Sequence, residues 1–197
     1  MHTKREQKER THESILESAA SLLREKGISG ARVADVMKRA GLTVGGFYAH
    51  FGSKESLIDE AIRRTAVETR SRLFGGLEGR PEADRVVAIL KRYLSAVHRD
   101  QPERGCPLPA VVGEVGTTAP EHGVALAGEV EAMAGALAEN APALPTLSRR
   151  TLALGLVALM YGGLSLARAL RGSELSDELL KSCRAVGAWM VRGEPEP

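Results

Sequence analysis

The stretch that most constrains the fold of this 197-residue chain lies between Arg32 and Lys54. Apolar residues recur at i, i+3, i+4 and i+7 over Val33–Ala40, which predicts a short amphipathic helix. Gly41 then suits a helix end in the left-handed conformation, and Thr43 suits the cap of a second short helix. Two short helices joined by a tight turn that contains glycine form a helix-turn-helix motif.

The remainder of the chain favours an all-α fold. Aromatic residues make up only 4% of the sequence, Ala, Leu, Arg and Glu are common, and no alternating apolar pattern of strand length stands out. We expect about nine helices. A long helix from about Ser53 to near Leu77 is predicted to bridge an N-terminal three-helix domain, residues 1–52, and a C-terminal helical domain, residues 53–197.

The charge distribution agrees with a phosphate-facing N-terminal domain. Residues 1–72 hold 14 Lys and Arg against 10 Asp and Glu, whereas the whole chain has a net charge of only +2. The positive excess therefore lies with the helix-turn-helix, where a nucleic-acid surface would need it. A solvated helix face could show the same weak bias.

Several classes of protein are disfavoured by what the sequence lacks. Two cysteines give no disulfide framework, and neither they nor His98 and His122 have metal-ligand spacing. We recognise no signal segment, no membrane span, no cofactor motif and no nucleotide-binding or nucleophile-elbow motif. We therefore expect a cytoplasmic protein that is not an enzyme and has no metal or cofactor.

Turn signals divide the chain beyond the bridging helix into five further helices. Gly79-Arg80-Pro81 precedes the first of them, and Ala141–Pro145 is a proline-bounded linker before the last two. The predicted extents are Glu82–Asp100, a short helix from Pro107, a helix from Thr118 to Asn140, Thr146–Arg171 and Asp177–Arg192.

The last two helices predict a partner subunit. The helix at Thr146–Arg171 is apolar nearly all round, so it must be covered on most sides. We expect a homodimer through a four-helix bundle, with a fully internal hairpin as the alternative. The predicted interface residues are Leu156, Met160, Gly163, Leu179, Cys183, Val186 and Met190.

The N-terminal ten residues are polar and mixed in charge, and we expect a frayed arm that runs into a first helix ending at Gly27. Lys4, Arg5, Lys8 and Arg10 could contact phosphates or a minor groove. A solvated, disordered tail is an equal alternative.

A set of residues within the first 57 positions forms a specific pattern: Ile15-Leu16, Ala19-Ala20, Glu25-Lys26-Gly27, Val33, Asp35-Val36, Ala40-Gly41-Leu42-Thr43, Gly46-Phe47-Tyr48, His50-Phe51 and Ser53-Lys54-Glu55-Leu57. This pattern resembles the TetR (tetracycline-repressor) family of bacterial transcriptional regulators. The resemblance implies a dimer that binds a palindromic operator of double-stranded DNA and is released by a small-molecule inducer bound in the C-terminal ligand-binding and dimerisation domain.

The resemblance implies a recognition helix over Thr43–Phe51. Two positions depart from the family: Val44, often polar in relatives, offers only apolar contact to a base, and Arg32 replaces part of the usual Thr/Ser capping pair. Arg32 either contacts DNA or is a solvated surface charge. The implied phosphate contacts are Thr43, Tyr48, His50 and Lys54, and the implied base contacts are Val44, Gly45 and Gly46.

The resemblance also implies an effector pocket in the C-terminal domain. Arg104-Gly105-Cys106-Pro107-Leu108 resembles a Gly-Cys segment of the family, and a thiol near Arg104 at a helix N-terminus could act as an electrophile or oxidant sensor. A buried apolar role for Cys106 is the alternative. The candidate pocket residues are Tyr93, Val97, His98, Cys106, Val111, Glu114, Val115, Met133 and Met160.

Two other classes of function stay open at this stage. A small-molecule enzyme could use Cys106, His98 or Glu114 in the helical pocket, although no catalytic motif supports it. A protein-interaction module with a degenerate helix-turn-helix is the other, and the basic N-terminal half argues against it.

Overall fold

The structure is a computed structural model, and it describes residues 3–192. Within that range the regular structure is helical, with nine α-helices, three short 3₁₀-helices and no strand, as predicted. The α-helices are α1 (Lys4–Gly30), α2 (Val33–Arg39), α3 (Lys54–Phe74), α4 (Glu82–Tyr93), α5 (Ala96–Asp100), α6 (Leu108–Val115), α7 (Gly123–Asn140), α8 (Arg149–Ala169) and α9 (Glu174–Arg192). The 3₁₀-helices are Val44–Ala49, Pro102–Arg104 and Pro120–His122.

The chain forms two compact units. Unit 1 comprises the chain up to Val67 together with Cys106–Ala127, and unit 2 comprises Glu68–Gly105 together with the chain from Gly128 onward. The divisions fall inside α3 and α7, which are continuous helices. The functional division at residues 52 and 53 stays a prediction.

Helix α1 is the centre of unit 1 and packs against α2 and α6. Its apolar stripe, which includes Ile15 and Leu23, is fully buried. Arg39 of α2 fixes the α1–α2 packing, because its two terminal nitrogens donate to both carboxylate oxygens of Glu25 at 2.7 and 3.0 Å. This bidentate pair lowers the pKa of Glu25.

The N-terminus differs from the predicted arm. Thr3 caps α1 through a reciprocal pair of hydrogen bonds with Glu6, so the backbone is helical from Lys4 onward. The prediction of a frayed arm is therefore wrong for residues 4–10, while Met1 and His2 lie outside the described residues. The basic residues of this segment lie on a helix.

Unit 2 is built around α8, which packs against α9, α5 and α4. Helix α8 is long and apolar enough, by length and composition alone, to cross a membrane, although the sequence predicted no such span. Half of its apolar window is buried within the protein, and Leu156 and Met160 have no exposed surface. This burial identifies α8 as a core helix.

The predicted helix over Glu82–Asp100 is two helices. The backbone leaves helical geometry at Leu94, and the Ser95 hydroxyl accepts a hydrogen bond from the His98 N–H at 3.1 Å, which caps α5. The guanidinium of Arg184 in α9 donates to the Leu94 carbonyl and satisfies it at the break. A cap and a distant arginine therefore outweigh the continuous apolar pattern.

Gly163 lies where α8 packs closely against Cys183 and Leu94. A Cβ placed there would lie 2.7 Å from Cys183 Sγ and 3.2 Å from Leu94 Cδ2. We expect Gly163→Ala to lower the free energy of unfolding by about 1–3 kcal/mol through overpacking. Urea unfolding at fixed protein concentration measures this.

The matched control is Gly135→Ala in α7, where an added Cβ would contact nothing within 4 Å. That change should stabilise the protein by up to about 1 kcal/mol through helix propensity. Equal effects of the two substitutions would contradict the close packing at Gly163.

Candidate nucleic-acid interface and effector cavity

The turn after α2 has the geometry of a Schellman motif. Gly41 adopts φ 71°, the Leu42 N–H donates to the Met37 carbonyl at 2.9 Å, and the Gly41 N–H donates to the Lys38 carbonyl at 3.1 Å. The predicted helix end at Gly41 is confirmed. The Thr43 side chain makes no capping hydrogen bond within the described chain, so its predicted capping role is wrong.

The segment after the turn is a 3₁₀-helix over Val44–Ala49, shorter and more tightly wound than the α-helix predicted over Thr43–Phe51. Phe47 is fully buried and stacks on Phe51 with ring centroids 5.8 Å apart. His12 of α1 stacks on the other side of Phe51 at 4.3 Å. These rings fix the segment on unit 1 and leave its opposite side in solvent.

That solvent side brings together the predicted DNA contacts. Thr43, Gly45 and Gly46 are exposed, Val44 is 50% exposed and Tyr48 is 75% exposed. The Tyr48 ring packs only at an edge against Phe47, with ring centroids 5.1 Å apart, and most of its surface faces solvent. His50 and Lys54, which follow shortly after Tyr48 in the sequence, are half-buried.

Arg32 is engaged with its own helix. Its Nε donates to Asp35 Oδ2 at 2.8 Å, and the Arg32 side chain is 75% exposed. An exposed i, i+3 pair of this kind is weak. Arg32 therefore stays available to exchange Asp35 for a phosphate, and its DNA contact stays a prediction.

His50 is held neutral at neutral pH. Burial lowers its pKa below the usual value, and the nearby His12 and Lys8 lower it further. The Nδ1 atom of His50 is buried and has no hydrogen-bond partner within the described chain. A neutral imidazole could approach a phosphate only as a hydrogen-bond donor, without contributing charge.

Glu114 was predicted to line the effector pocket, but it is bound elsewhere. Its two carboxylate oxygens accept hydrogen bonds from the backbone N–H groups of Ile28 and Ser29, each at 2.8 Å. The contact depends on Gly27, where φ is 71° and an added Cβ would lie 1.9 Å from Glu114 Oε1. Gly27 thus ends the regular part of α1, and one further turn follows it to Gly30.

Unit 2 contains a cavity of about 300 Å³ formed by α3, α4, α5 and the segment Gln101–Gly105. Two predicted pocket residues, Val97 and His98, line it. The His98 ring lies edge-on to Tyr93 with centroids 4.6 Å apart, and its Nδ1 is 2.6 Å from the Tyr93 carbonyl oxygen. Since a carbonyl only accepts, Nδ1 carries the proton.

The other predicted pocket residues lie in the core. Cys106, Val111, Met133, Met160 and the Tyr93 ring are each at most 1% exposed, and Val115 is 8% exposed. None of them is among the residues that line the unit 2 cavity. Complete burial of Cys106 also keeps its thiol away from a soluble electrophile.

Sequence reasoning missed the arginines of this cavity. Arg72, Arg92 and Arg104 all line it, yet they lie on three separate elements, so no local pattern unites them. Arginine is also common at exposed helix positions, so these three residues do not stand out in the sequence.

Three of the predicted dimer residues are buried inside their own chain. Leu156 and Met160 have no exposed surface, and Gly163 packs on Cys183, so these three assignments to an exposed interface need correction. Val186 is 48% exposed, and Leu179, Cys183 and Met190 are half-buried. Because α8 is apolar on nearly all sides, its sequence does not distinguish the internal face from an exposed one.

The fold and the N-terminal surface define an all-helical protein with an N-terminal helix-turn-helix. Residues 15–61 match the family model described as bacterial regulatory proteins, tetR family. The N-terminal domain of the chain is therefore similar to the domain that this family model describes.

Relatives agree with this assignment. The chain is 34% identical over 79 residues to the uncharacterized HTH-type transcriptional regulator YvdT of Bacillus subtilis (strain 168), and 32% identical over 88 residues to the HTH-type transcriptional repressor KstR2 of Rhodococcus jostii (strain RHA1). These matches cover 40% and 43% of this chain. They span 41% and 43% of the relatives' lengths, less than half.

A solved structure matches along nearly the whole chain. It is a TetR transcriptional regulator from Chloroflexus aurantiacus J-10-FL, with a TM-score of 0.77 and 26% identity. The match covers 95% of this chain and 97% of that protein. The helical arrangement beyond residue 61 is therefore also one that a TetR regulator has.

The Glu114 contact predicts a measurable loss of stability. Hydrogen bonds to a charged group contribute about 1.5–3 kcal/mol each, and this carboxylate is partly exposed. We expect Glu114→Ala to lower the free energy of unfolding by about 2 kcal/mol in urea titrations. Glu139→Ala, at an exposed position of α7, should change it by less than about 0.5 kcal/mol, and a similar loss in both would contradict the contact.

The buried state of His98 predicts a pH dependence. Burial lowers the pKa of His98, the hydrogen bond to the Tyr93 carbonyl raises it, and the charges of Arg168 and Arg72 lower it, so that the pKa falls from 6.5 to about 4. His98 is protonated below about pH 6.5 in the unfolded chain but only below about pH 4 in the folded protein. Between these pH values the unfolded state binds one more proton, so a decrease in pH favours unfolding. Stability is therefore complete above pH 6.5 and falls as the pH decreases.

We expect the free energy of unfolding to fall by about 2 kcal/mol more in the wild type than in His98→Asn between about pH 7.5 and pH 5. Asparagine retains a donor for the Tyr93 carbonyl but does not titrate. Urea unfolding at both pH values gives the comparison. Parallel losses in the two proteins would show that His98 is not the titrating group.

Proposed function

We propose that this protein is a ligand-responsive DNA-binding transcriptional regulator, a repressor that binds a palindromic operator as a dimer and releases it when a small molecule binds. The observation that carries the proposal is the exposed side of the 3₁₀-helix Val44–Ala49, fixed from behind by Phe47 and Phe51. The name of the relative KstR2, a transcriptional repressor, supports the choice of repression. A cytoplasmic location follows from the proposed role.

Base readout by this segment is sparse, because Val44, Gly45 and Gly46 carry no polar side-chain group. Valine can contact a thymine methyl, and glycines allow close approach of the backbone. Tyr48 and Lys54 would bind phosphates and set the register. Sequence-dependent DNA shape, or a contact from Arg32, would supply the remaining specificity.

For the dimer, we propose the exposed stripes of α8 and α9 in place of the buried residues. Positions spaced by three, four or seven residues form one face on each helix. Leu166 is 54% exposed, Val186 48% and Trp189 56%, which is unusual for large apolar side chains on neighbouring helices. The proposed face comprises Leu154, Ala158, Gly162 and Leu166 of α8 with Leu175, Ser182, Val186 and Trp189 of α9.

The proposed effector site is the cavity lined by Val97 and His98 in unit 2. Its volume lies at the lower end of the range for small-molecule sites. We propose no catalytic role for the three candidates: Glu114 is bound by backbone N–H groups, Cys106 is buried, and Nδ1 of His98 is engaged by the Tyr93 carbonyl. The tetR family consists of regulators, which agrees with this choice.

The DNA proposal is tested with Tyr48→Ala combined with Lys54→Ala. We expect at least a tenfold loss of affinity for DNA flanking the protein's own gene, because two phosphate contacts disappear. Loss of the lysine should also reduce the salt slope of log affinity by about 1. Gel-shift or anisotropy titrations at several salt concentrations measure both quantities.

Arg80→Ala, an exposed charge in unit 2, is the control and should leave affinity and slope unchanged. Unchanged affinity in the double variant would refute the proposed surface. Failure of the wild type to bind any duplex from that region more tightly than unrelated DNA would refute the proposed function.

The dimer proposal is tested with Val186→Glu. A carboxylate in an apolar interface should raise the dimer dissociation constant at least tenfold, because the charge loses its hydration. Light scattering during size exclusion and analytical ultracentrifugation follow the mass. Val124→Glu, at an 87% exposed position of α7, is the matched control, and a dimer unaffected by Val186→Glu would exclude this face.

A further inference from the structure

The unit 2 cavity carries a marked charge imbalance. Its lining includes three arginines, Arg72, Arg92 and Arg104, and none of the residues that line it, all within the described chain, is an aspartate or glutamate. In most protein surfaces both signs of charge are interspersed. A concave wall with one sign of charge attracts the opposite sign, because low-dielectric walls concentrate the field.

Arg92 is held in place by carbonyl groups. Its Nη1 donates to the carbonyl oxygens of Leu73 and Gly75, at 2.5 and 2.8 Å, where α3 ends. Within the described chain Arg92 contacts no carboxylate, so carbonyl dipoles orient its charge without neutralising it. The arginine is thereby preorganised, since less side-chain freedom remains to be lost on binding.

Arg104 lies at the end of the 3₁₀-helix Pro102–Arg104 and is exposed. It makes no ion pair within the described chain. Arg72, at the last turn of α3, extends the positive wall on the side of Arg92. A guanidinium group donates through several N–H groups in a planar fork, which matches a carboxylate or phosphate.

The remaining lining sets the shape of a ligand. His98 is neutral at neutral pH and adds no charge of its own. Leu73 is buried and Val97 is 66% exposed, so both offer carbon surface to the cavity. A volume of about 300 Å³ accommodates a short apolar body.

We propose that this cavity binds a small organic anion, a carboxylate or phosphate ester on a short apolar body, with Arg92 and Arg104 holding its headgroup. The regulatory meaning of such an anion rests on the proposed function, whereas its binding does not. In the proposed complex Leu73 and Val97 contact the apolar body. Because the cavity opens to solvent, the affinity should decrease as salt concentration rises.

The experiment compares four eight-carbon probes on the full chain by isothermal titration calorimetry: octanoate, octyl phosphate, octan-1-ol and octylammonium. Three of them carry an octyl chain and octanoate carries a heptyl chain, and one CH₂ group contributes only about 0.8 kcal/mol, so a tenfold preference for octanoate reports its headgroup. We expect at least one anion to bind at least tenfold more tightly than both the alcohol and the ammonium. The tighter of the two anions identifies the headgroup.

Arg104→Gln should weaken the preferred anion about fivefold and leave octan-1-ol unchanged. Arg80→Gln, which removes an exposed charge of unit 2 outside this cavity, should leave both unchanged. Arg104 is exposed, so its replacement should not disturb folding, and thermal unfolding checks this. Arg104→Glu should abolish the preference for anions.

Three results would overturn the inference: an ammonium or alcohol that binds as tightly as the anions, anion binding weaker than about 1 mM, or an anion affinity that Arg104→Glu leaves intact. These measurements contain no DNA. A wild type that binds anions but no operator would refute the proposed function alone, and operator binding without anion selectivity would refute this inference alone.

Discussion

The bond between Glu114 and the end of α1 is the constraint on which much of unit 1 depends. A carboxylate on a short helix far along the sequence binds two N–H groups that the left-handed Gly27 leaves without helical partners. The charge on Glu114 strengthens both hydrogen bonds. Through them the short helix α6 is attached to the helix that also supports α2, so the helix-turn-helix is completed by residues more than fifty positions beyond it.

Much of the fold could be predicted from the sequence, because long helices with an apolar stripe are strongly specified by local periodicity. Gly41 and its turn and the helical class follow directly from residue types. The break at Leu94 could not be foreseen, because it depends on Arg184, a residue ninety positions away. Helix ends differ from the predicted ones by a few residues for a different reason: local caps compete with the apolar periodicity over short distances.

The candidate DNA surface could be predicted from the sequence, whereas the candidate cavity could be predicted only in part. Tyr48 and Val44 belong to one contiguous segment, so a short pattern could indicate a common surface for them. Pocket residues come from elements distant in sequence, and polarity alone could not separate Glu114, which binds backbone, from His98, which lines the cavity. Only the packing of the folded chain shows which side of α8 is internal, because the sequence of α8 is apolar on nearly every side.

The continuity of α3 and α7 across the two compact units has a consequence for modularity. Unit 1 takes residues from two separate parts of the chain, and unit 2 takes the residues between and after them. A fragment that ends at Val67 would lack α6, and with it the acceptor for Ile28 and Ser29. The helix-turn-helix is therefore not a detachable module, and opening of either unit would fray a helix of the other, which favours concerted rather than independent unfolding.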